Sequence, residues 1–167
     1  MTTRPTQDQI FTEWMTEHRG IVVKVVRSFA ANAADAEDLT QEIALALWRS
    51  VRSFRGDAKP STWIWRVALN RAISWKRAAI DPSSVTAIDA VAEIVAIGGA
   101  EDRVAVAQVH RLLRALGPLD RSLMILSLEG HTYAEMAHIT GLGESNVGAR
   151  LSRARSRLTE LMETEDA

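Results

Sequence analysis

The chain has 167 residues, of which 47% are apolar and 25% are charged, and its formal net charge is −1. This composition is typical of a soluble globular protein. There is no cysteine, which excludes a disulfide framework and a thiolate metal site and favours a reducing compartment.

The charges are segregated along the chain. Residues 28–48 carry four acids and no base, whereas residues 49–77 carry eight basic residues against one acid. Residues 81–102 hold five acids without a base, and residues 144–158 hold four arginines against one glutamate. Since salt screens each field within about 10 Å, such basic segments can bind phosphate although the net charge is near zero.

Apolar residues recur at helical spacing almost throughout, and no alternating strand pattern stands out. A first helix is predicted from Ile10, Trp14, Ile21, Val25 and Phe29, and a second from Leu39, Ile43, Leu47 and Phe54 with Asn32 or Asp35 as its N-cap. A third helix is predicted over residues 61–79. Together these form a first domain over residues 7–80.

Residues 81–103 are acidic and rich in small residues, which predicts a flexible linker. Further helices are predicted over residues 104–116, 121–128, 132–139 and 145–162, in a second domain over residues 104–163. The predicted fold is all-α: two small helical domains joined by a tether longer than most loops within one domain.

The second domain contains a helix-turn-helix pattern. Thr132 and Glu135 have capping-box spacing, and residues 141–143 (GLG) form a short turn before the next helix. That helix has one apolar stripe, formed by Val147, Leu151, Ala154, Leu158 and Leu161. Small and basic residues occupy its other faces, which favours approach to duplex DNA: Ser145, Asn146, Ala149, Arg150, Ser152, Arg153, Arg155 and Arg157. The alternative is a solvated basic face.

The second helix of the first domain has an acidic face. Asp35, Asp38 and Glu42 cluster about 110° from the apolar side, with Gln41 on their flank. Such a face repels itself and favours a basic protein partner. The alternative, stabilisation of the helix N-terminus by acids, explains Glu42 less well.

The third helix has a face suited to unpaired bases. Trp63, Arg66, Asn70, Ser74 and Arg77 share this face, opposite an apolar stripe of Trp65, Ala68, Leu69 and Ala72. Aromatic and arginine side chains suit unpaired bases, and stacking is worth about 1–3 kcal/mol per base. Arg55 and Lys59 precede the helix and add positive charge. Trp63 alone would more often be a core residue.

These segments resemble the extracytoplasmic-function sigma factors. Residues 35–42 (DAEDLTQE) resemble the family's polymerase-docking motif, and residues 54–57 (FRGD) with 62–70 (TWIWRVALN) resemble its promoter-melting segment. Residues 116–121 (LGPLDR), 133–137 (YAEMA) and 152–155 (SRAR) resemble its C-terminal domain.

The resemblance implies a σ2-like domain, a linker and a σ4-like helix-turn-helix domain. By analogy, Asp35, Asp38, Gln41 and Glu42 dock on the clamp helices of the β′ subunit of core RNA polymerase. The −10 element of promoter DNA contacts Arg55, Lys59, Trp63, Arg66, Asn70 and Arg77. The −35 element contacts the eight positions given above on the last helix, and the apolar surface of the σ4-like domain binds the β-flap.

The resemblance also implies regulation by an anti-sigma factor. Two positions depart from the family pattern: Gly117 stands where Leu is common, and Gly148 stands where Lys or Arg is frequent. Glycine inside a helix costs about 1 kcal/mol relative to alanine.

Three other functions are alternatives to that of a sigma factor. A sigma-like decoy that sequesters an anti-sigma factor would be expected to lose the basic surfaces, and an autonomous helix-turn-helix regulator has no use for the acidic face. His131, Glu135 and His138 share helical spacing, but a di-iron enzyme needs a second such motif. We expect no catalytic residue, no metal, no cofactor, no membrane insertion and a cytoplasmic location.

Overall fold

The computed structural model describes residues 4–79 and 100–165. Within those ranges there is no strand, and the prediction of an all-helical fold with two domains is confirmed. The helices are α1 (Gln7–Phe29), α2 (Ala33–Ser50), α3 (Pro60–Ala78), α4 (Ala100–Arg114), α5 (Pro118–Leu128), α6 (Tyr133–Thr140) and α7 (Glu144–Glu165).

The N-terminal domain comprises α1, α2 and α3, which pack around one apolar core. Its largest fully buried side chains are Phe29, Leu39, Ile43, Leu47, Ile64 and Leu69. Asn32 is the N-cap of α2, because its side chain accepts a 2.8 Å hydrogen bond from the Asp35 N–H. Asp35 therefore lies in the first turn and is not the cap.

The connection between α2 and α3 is fixed by three aromatic rings. The chain tightens into a 3-10 turn over Val51–Ser53, so Phe54 lies beyond α2 and the prediction that placed it on this helix is wrong. Its ring meets that of Trp14 edge-on at 5.2 Å and that of Trp63 at 5.5 Å. Pro60 then occupies the first turn of α3, where its missing N–H leaves no hydrogen bond unmade.

The C-terminal domain comprises α4 to α7. Helix α4 begins at Ala100, so the last four residues of the predicted linker are helical, and residues 81–99 of that linker lie outside the described residues. The capping box of Thr132 and Glu135 is confirmed, and Gly141 ends α6 with a positive φ of 76°. A short turn then leads into α7, which gives the predicted helix-turn-helix.

The two domains pack against each other around a buried arginine. Arg121 of α5 is 2% exposed. Its guanidinium donates to the carbonyls of Leu113, Arg114 and Leu116, at the end of α4, at 2.8–3.0 Å, and to the carbonyl of Ser28 in α1 at 3.3 Å. One side chain thus caps α4 and reaches the neighbouring domain.

Polar and aromatic contacts surround this arginine. Lys24 Nζ lies 2.5 Å from Glu129 Oε2, and the ring of Trp65 meets that of His131 edge-on at 5.8 Å. These contacts join α1 and α3 to the C-terminal domain, so the described molecule has its two domains docked.

Candidate functional site

The carboxylates predicted on α2 are oriented by α3. Asp38 is exposed, and its Oδ2 accepts a 2.7 Å hydrogen bond from Trp75 Nε1. Glu42 is half-buried, and its Oε2 forms an ion pair with Nη2 of Arg71. Both donors lie on α3, so the acidic face is attached to the neighbouring helix.

The other two members of this face differ in exposure. Gln41 is exposed, while Asp35 is half-buried at the start of α2. The four predicted residues therefore lie on the first two-thirds of one helix, with Asp38 and Gln41 the most accessible.

The predicted base-binding face of α3 points into solvent. Arg66, Asn70 and Arg77 are exposed, and none has a hydrogen bond or ion pair with any other side chain that the structure describes. The opposite stripe, comprising Trp65, Ala68, Leu69 and Ala72, is buried. The division of α3 into a core side and a free cationic side is as predicted.

Trp63 has a mixed position at the start of that face. It is half-buried, its ring packs on Phe54, and its Nε1 donates a 3.0 Å hydrogen bond to Ser50 Oγ. Arg55 and Lys59 are exposed on the loop that leads into α3. The ring thus belongs partly to the aromatic core and partly to the accessible surface.

The second basic surface lies on α7. Val147, Leu151 and Ala154 are buried and Leu158 and Leu161 half-buried, as the predicted stripe requires. The exposed residues of the outer face are Ser145, Asn146, Ala149, Ser152, Arg153, Arg155 and Arg157. Arg155 donates to Ser127 Oγ at 3.2 Å, and Arg157 donates to Glu160 at 3.3 Å.

Comparisons with known proteins identify both domains. The model of Sigma-70 region 2 matches residues 14–79, and that of Sigma-70 region 4 matches residues 107–158, together more than two-thirds of the chain. The chain is 27% identical to the ECF RNA polymerase sigma factor SigM of Mycobacterium tuberculosis, over 91% of this chain and 76% of SigM. The chain is an extracytoplasmic-function member of the sigma-70 family.

Solved structures share the fold of this sigma factor. One is the structure of CnrH in complex with the cytosolic domain of CnrY. The match covers 94% of this chain and 90% of the CnrH chain, with a TM-score of 0.66 and 22% sequence identity. Another is the structure of the sigma factor RpoE in complex with the anti-sigma factor NepR from Bartonella quintana. The match covers 95% of this chain and 98% of the RpoE chain, with a TM-score of 0.69 and 24% sequence identity.

One predicted DNA contact of the sigma factor has a partner inside the C-terminal domain. Arg150 Nη1 lies 2.7 Å from Asp120 Oδ1, and both side chains are about one-third exposed. The ion pair joins α7 to the first turn of α5. Helical spacing alone could not separate Arg150 from the exposed arginines, because its partner lies 30 residues away.

The sequence pattern does not mark three further residues that lie near the predicted sites. Arg71 and Trp75 contact the carboxylates of α2, and Tyr133 lies against α7. A β-carbon added to Gly148 would lie 3.2 Å from Cε2 of Tyr133. The glycine that departs from the family pattern thus makes room for a ring of α6.

His131 lies just before α6 and His138 lies within it. No group of three or more potential metal ligands occurs among the residues that the structure describes. His131 precedes the N-cap and its ring meets that of Trp65 edge-on, while the Thr132 N–H donates to Glu135 Oε2 at 2.7 Å. That backbone hydrogen bond lowers the pKa of Glu135. In the same described ranges, no helix is long and apolar enough to cross a membrane.

Proposed function

We propose that this sigma factor docks on the β′ clamp helices of core RNA polymerase through the acidic face of α2. The basic face of α3 then receives the opened −10 element, and α7 enters the major groove at the −35 element. The observation that carries the proposal is the adjacency of two oppositely charged surfaces, α2 and α3, on one domain. A protein machine and a nucleic acid can therefore be bound side by side.

The −10 surface suits single-stranded DNA more than duplex. Arg66, Asn70 and Arg77 present donors without internal partners among the described residues, and the half-buried Trp63 lies at the start of the same face. Arginine and aromatic groups stack on bases, and base extrusion costs a few kcal/mol that stacking and hydrogen bonds offset. Arg55 and Lys59 add contacts to phosphate.

The −35 surface suits duplex DNA. Ser145, Asn146 and Ala149 are short and exposed at the start of α7, so the helix can approach base edges closely. Arg153, Arg155 and Arg157 lie further along and are placed for phosphate contacts. The apolar surface of the C-terminal domain is assigned to the β-flap.

We expect promoter binding to separate the two domains. In the described residues Arg121 holds α5 against α1, and α3, the helix assigned to the −10 element, packs against α5 and α6. The −10 and −35 elements are separate sites on promoter DNA, and the proposal assigns one domain to each. We infer that core polymerase binds an opened form.

Domain separation can be measured directly, because the chain has no cysteine. Thr12→Cys with Thr159→Cys introduces two unique labelling sites at exposed positions of α1 and α7. We expect energy transfer between the two dyes to fall when core polymerase and promoter DNA are added. Unchanged transfer in an active complex would show that no opening occurs.

We further propose that an anti-sigma factor holds the sigma factor inactive. Support comes from the two structural neighbours: CnrH was solved with CnrY, and RpoE with the anti-sigma factor NepR. A purified product of a neighbouring gene should suppress promoter-directed transcription by the holoenzyme. If deleting every neighbouring regulator leaves cellular activity unchanged, this part of the proposal fails.

The decisive test of docking is the double variant Asp38→Asn with Glu42→Gln. Both amides retain an acceptor for Trp75 and Arg71, so the fold is kept while the charges are removed. We expect a large loss of holoenzyme assembly and of promoter-directed RNA synthesis. The matched control is Glu13→Gln with Glu17→Gln, two exposed acids of α1. If the variant with Asp38→Asn and Glu42→Gln assembles holoenzyme and supports RNA synthesis as well as this control, the docking proposal is refuted.

The same assay separates the alternatives. A decoy would bind an anti-sigma factor but would never support transcription with core polymerase. An autonomous regulator would bind duplex DNA tightly without polymerase. Both cationic surfaces are present and exposed, which favours the sigma factor over the decoy.

A further inference from the structure

Two bonds join the docking carboxylates of α2 to α3, the helix assigned to the −10 element. Trp75 donates to Asp38, and Arg71 donates to Glu42. Each pair of residues is four positions apart on its own helix, so the two bonds lie one helical turn apart. They form a two-rung ladder between antiparallel segments of α2 and α3.

The ladder leaves each carboxylate able to bind a partner. Only Oδ2 of Asp38 and Oε2 of Glu42 take part, and within the described part of the chain their second oxygens accept no hydrogen bond. The donor to Asp38 is a neutral indole, which brings no positive charge to the carboxylate. Both carboxylates are exposed or half-buried and can be reached from solvent.

Stability alone does not account for such a ladder, since exposed polar pairs contribute little to it. Their effect on binding is different. A carboxylate that is already fixed in one rotamer loses less side-chain freedom when a partner binds, and preorganisation of this kind raises affinity. Bonds of this kind can therefore act on binding by restricting the positions of Asp38 and Glu42 before a partner arrives.

We propose that Trp75 and Arg71 are positioning residues for polymerase binding. They hold the carboxylates of Asp38 and Glu42 in the geometry that a basic surface of core polymerase accepts. This inference rests on the proposed docking role of α2. It assigns a second function to α3, whose outer face carries Arg66 and Asn70.

The test is the affinity of Trp75→Phe for core polymerase. Phenylalanine keeps most of the ring and removes the N–H. The chain offers a matched control in Trp48, whose Nε1 donates to Asp8 Oδ1, also at 2.7 Å, between α2 and α1. We expect Trp75→Phe to weaken binding about three- to tenfold and Trp48→Phe to leave it unchanged.

A double-mutant cycle distinguishes positioning from a general effect on folding. In the Asp38→Ala background, Trp75→Phe should cause no further loss of affinity, because its partner is absent. An equal loss in both backgrounds would overturn the inference and assign Trp75 a structural role. Unfolding midpoints of all variants identify any loss that comes from instability.

Arg71 provides an independent variant in case Trp75→Phe folds poorly. We expect Arg71→Met to weaken polymerase binding and Arg71→Lys, which retains the cation, to recover most of the affinity. If Asp38→Ala weakens binding while Trp75→Phe and Arg71→Met do not, the positioning role is wrong and the docking proposal stands. If Asp38→Ala with Glu42→Ala also leaves the affinity for core polymerase unchanged, the positioning role and the docking proposal are both wrong.

Discussion

The guanidinium of Arg121 lies 4.8 Å from the centroid of the Phe29 ring, although the two residues belong to different domains. Both are almost fully buried. The arginine donates to carbonyls at the ends of α4 and α1, where helix dipoles concentrate partial negative charge. These carbonyls, rather than a carboxylate, balance the buried cation. Burial first, and then nearby Arg114, lower the pKa of Arg121 to about 10.

Replacement of Arg121 should therefore destabilise the protein strongly. Arg121→Met keeps the length of the side chain but leaves the buried carbonyls of Leu113 and Leu116 without their donor. We expect the free energy of unfolding to fall by about 2–4 kcal/mol. Urea denaturation measures this. Phe29→Leu removes the ring but keeps the hydrogen bonds. It should lower the free energy of unfolding by less, about 1–2 kcal/mol. An Arg121→Met loss below about 0.5 kcal/mol would contradict the capping role.

Acid should weaken the interface through His110. Its Nδ1 lies 3.1 Å from Ser28 Oγ in the other domain. Burial, and then the charges of Arg114 and Arg27, lower the pKa of His110 to about 4. The unfolded chain binds a proton near pH 6.5 and the folded one near pH 4, so stability falls as the pH falls through that window. We expect a loss of about 1–2 kcal/mol between pH 7.5 and 5, after allowance for partial exposure.

The control for this prediction is a histidine outside the interface. His110→Gln removes the titrating group, so unfolding measured at pH 7.5 and at pH 5 should differ less than in the unmodified protein. His138→Gln changes an exposed histidine and should preserve the full pH dependence. If both variants respond to acid like the unmodified chain, another group is responsible.

Local features of the fold were predictable from sequence, and contacts between distant residues were not. The capping box of Thr132 and Glu135 depends on residues three apart, and the buried stripe of α7 depends on helical periodicity. By contrast, the bond from Trp75 to Asp38 spans 37 residues, and that from Arg121 to Ser28 spans 93. Such contacts depend on how helices pack, which a single sequence does not specify.

The arginines of α7 should divide into two groups. Arg153 is exposed, whereas Arg150 is paired with Asp120. We expect Arg153→Ala to weaken binding to promoter DNA and to lower the slope of affinity against salt by about one, with stability unchanged. Arg150→Ala should instead lower the free energy of unfolding by about 1 kcal/mol, because the ion pair is only partly screened.

Two measurements check this division, namely DNA affinity at several salt concentrations and urea unfolding of both variants. Asp120→Asn serves as the matched control, since it weakens the same ion pair without touching α7. It should reproduce the stability loss of Arg150→Ala and leave the salt slope unchanged. A reduced salt slope for Arg150→Ala alone would place this arginine on the DNA after all.

Gly148 should be a site where a larger residue stabilises the sigma factor. Glycine in a helix is about 1 kcal/mol less favourable than alanine. An added β-carbon would lie 3.2 Å from the Tyr133 ring, which is 42% exposed and therefore has room to move outward. We expect Gly148→Ala to raise the free energy of unfolding by about 0.5 kcal/mol, and by about 1 kcal/mol in a Tyr133→Ala background where no ring must move. Equal gains in both backgrounds would show that the ring imposes no restraint, and a net loss in the first would show that it cannot yield.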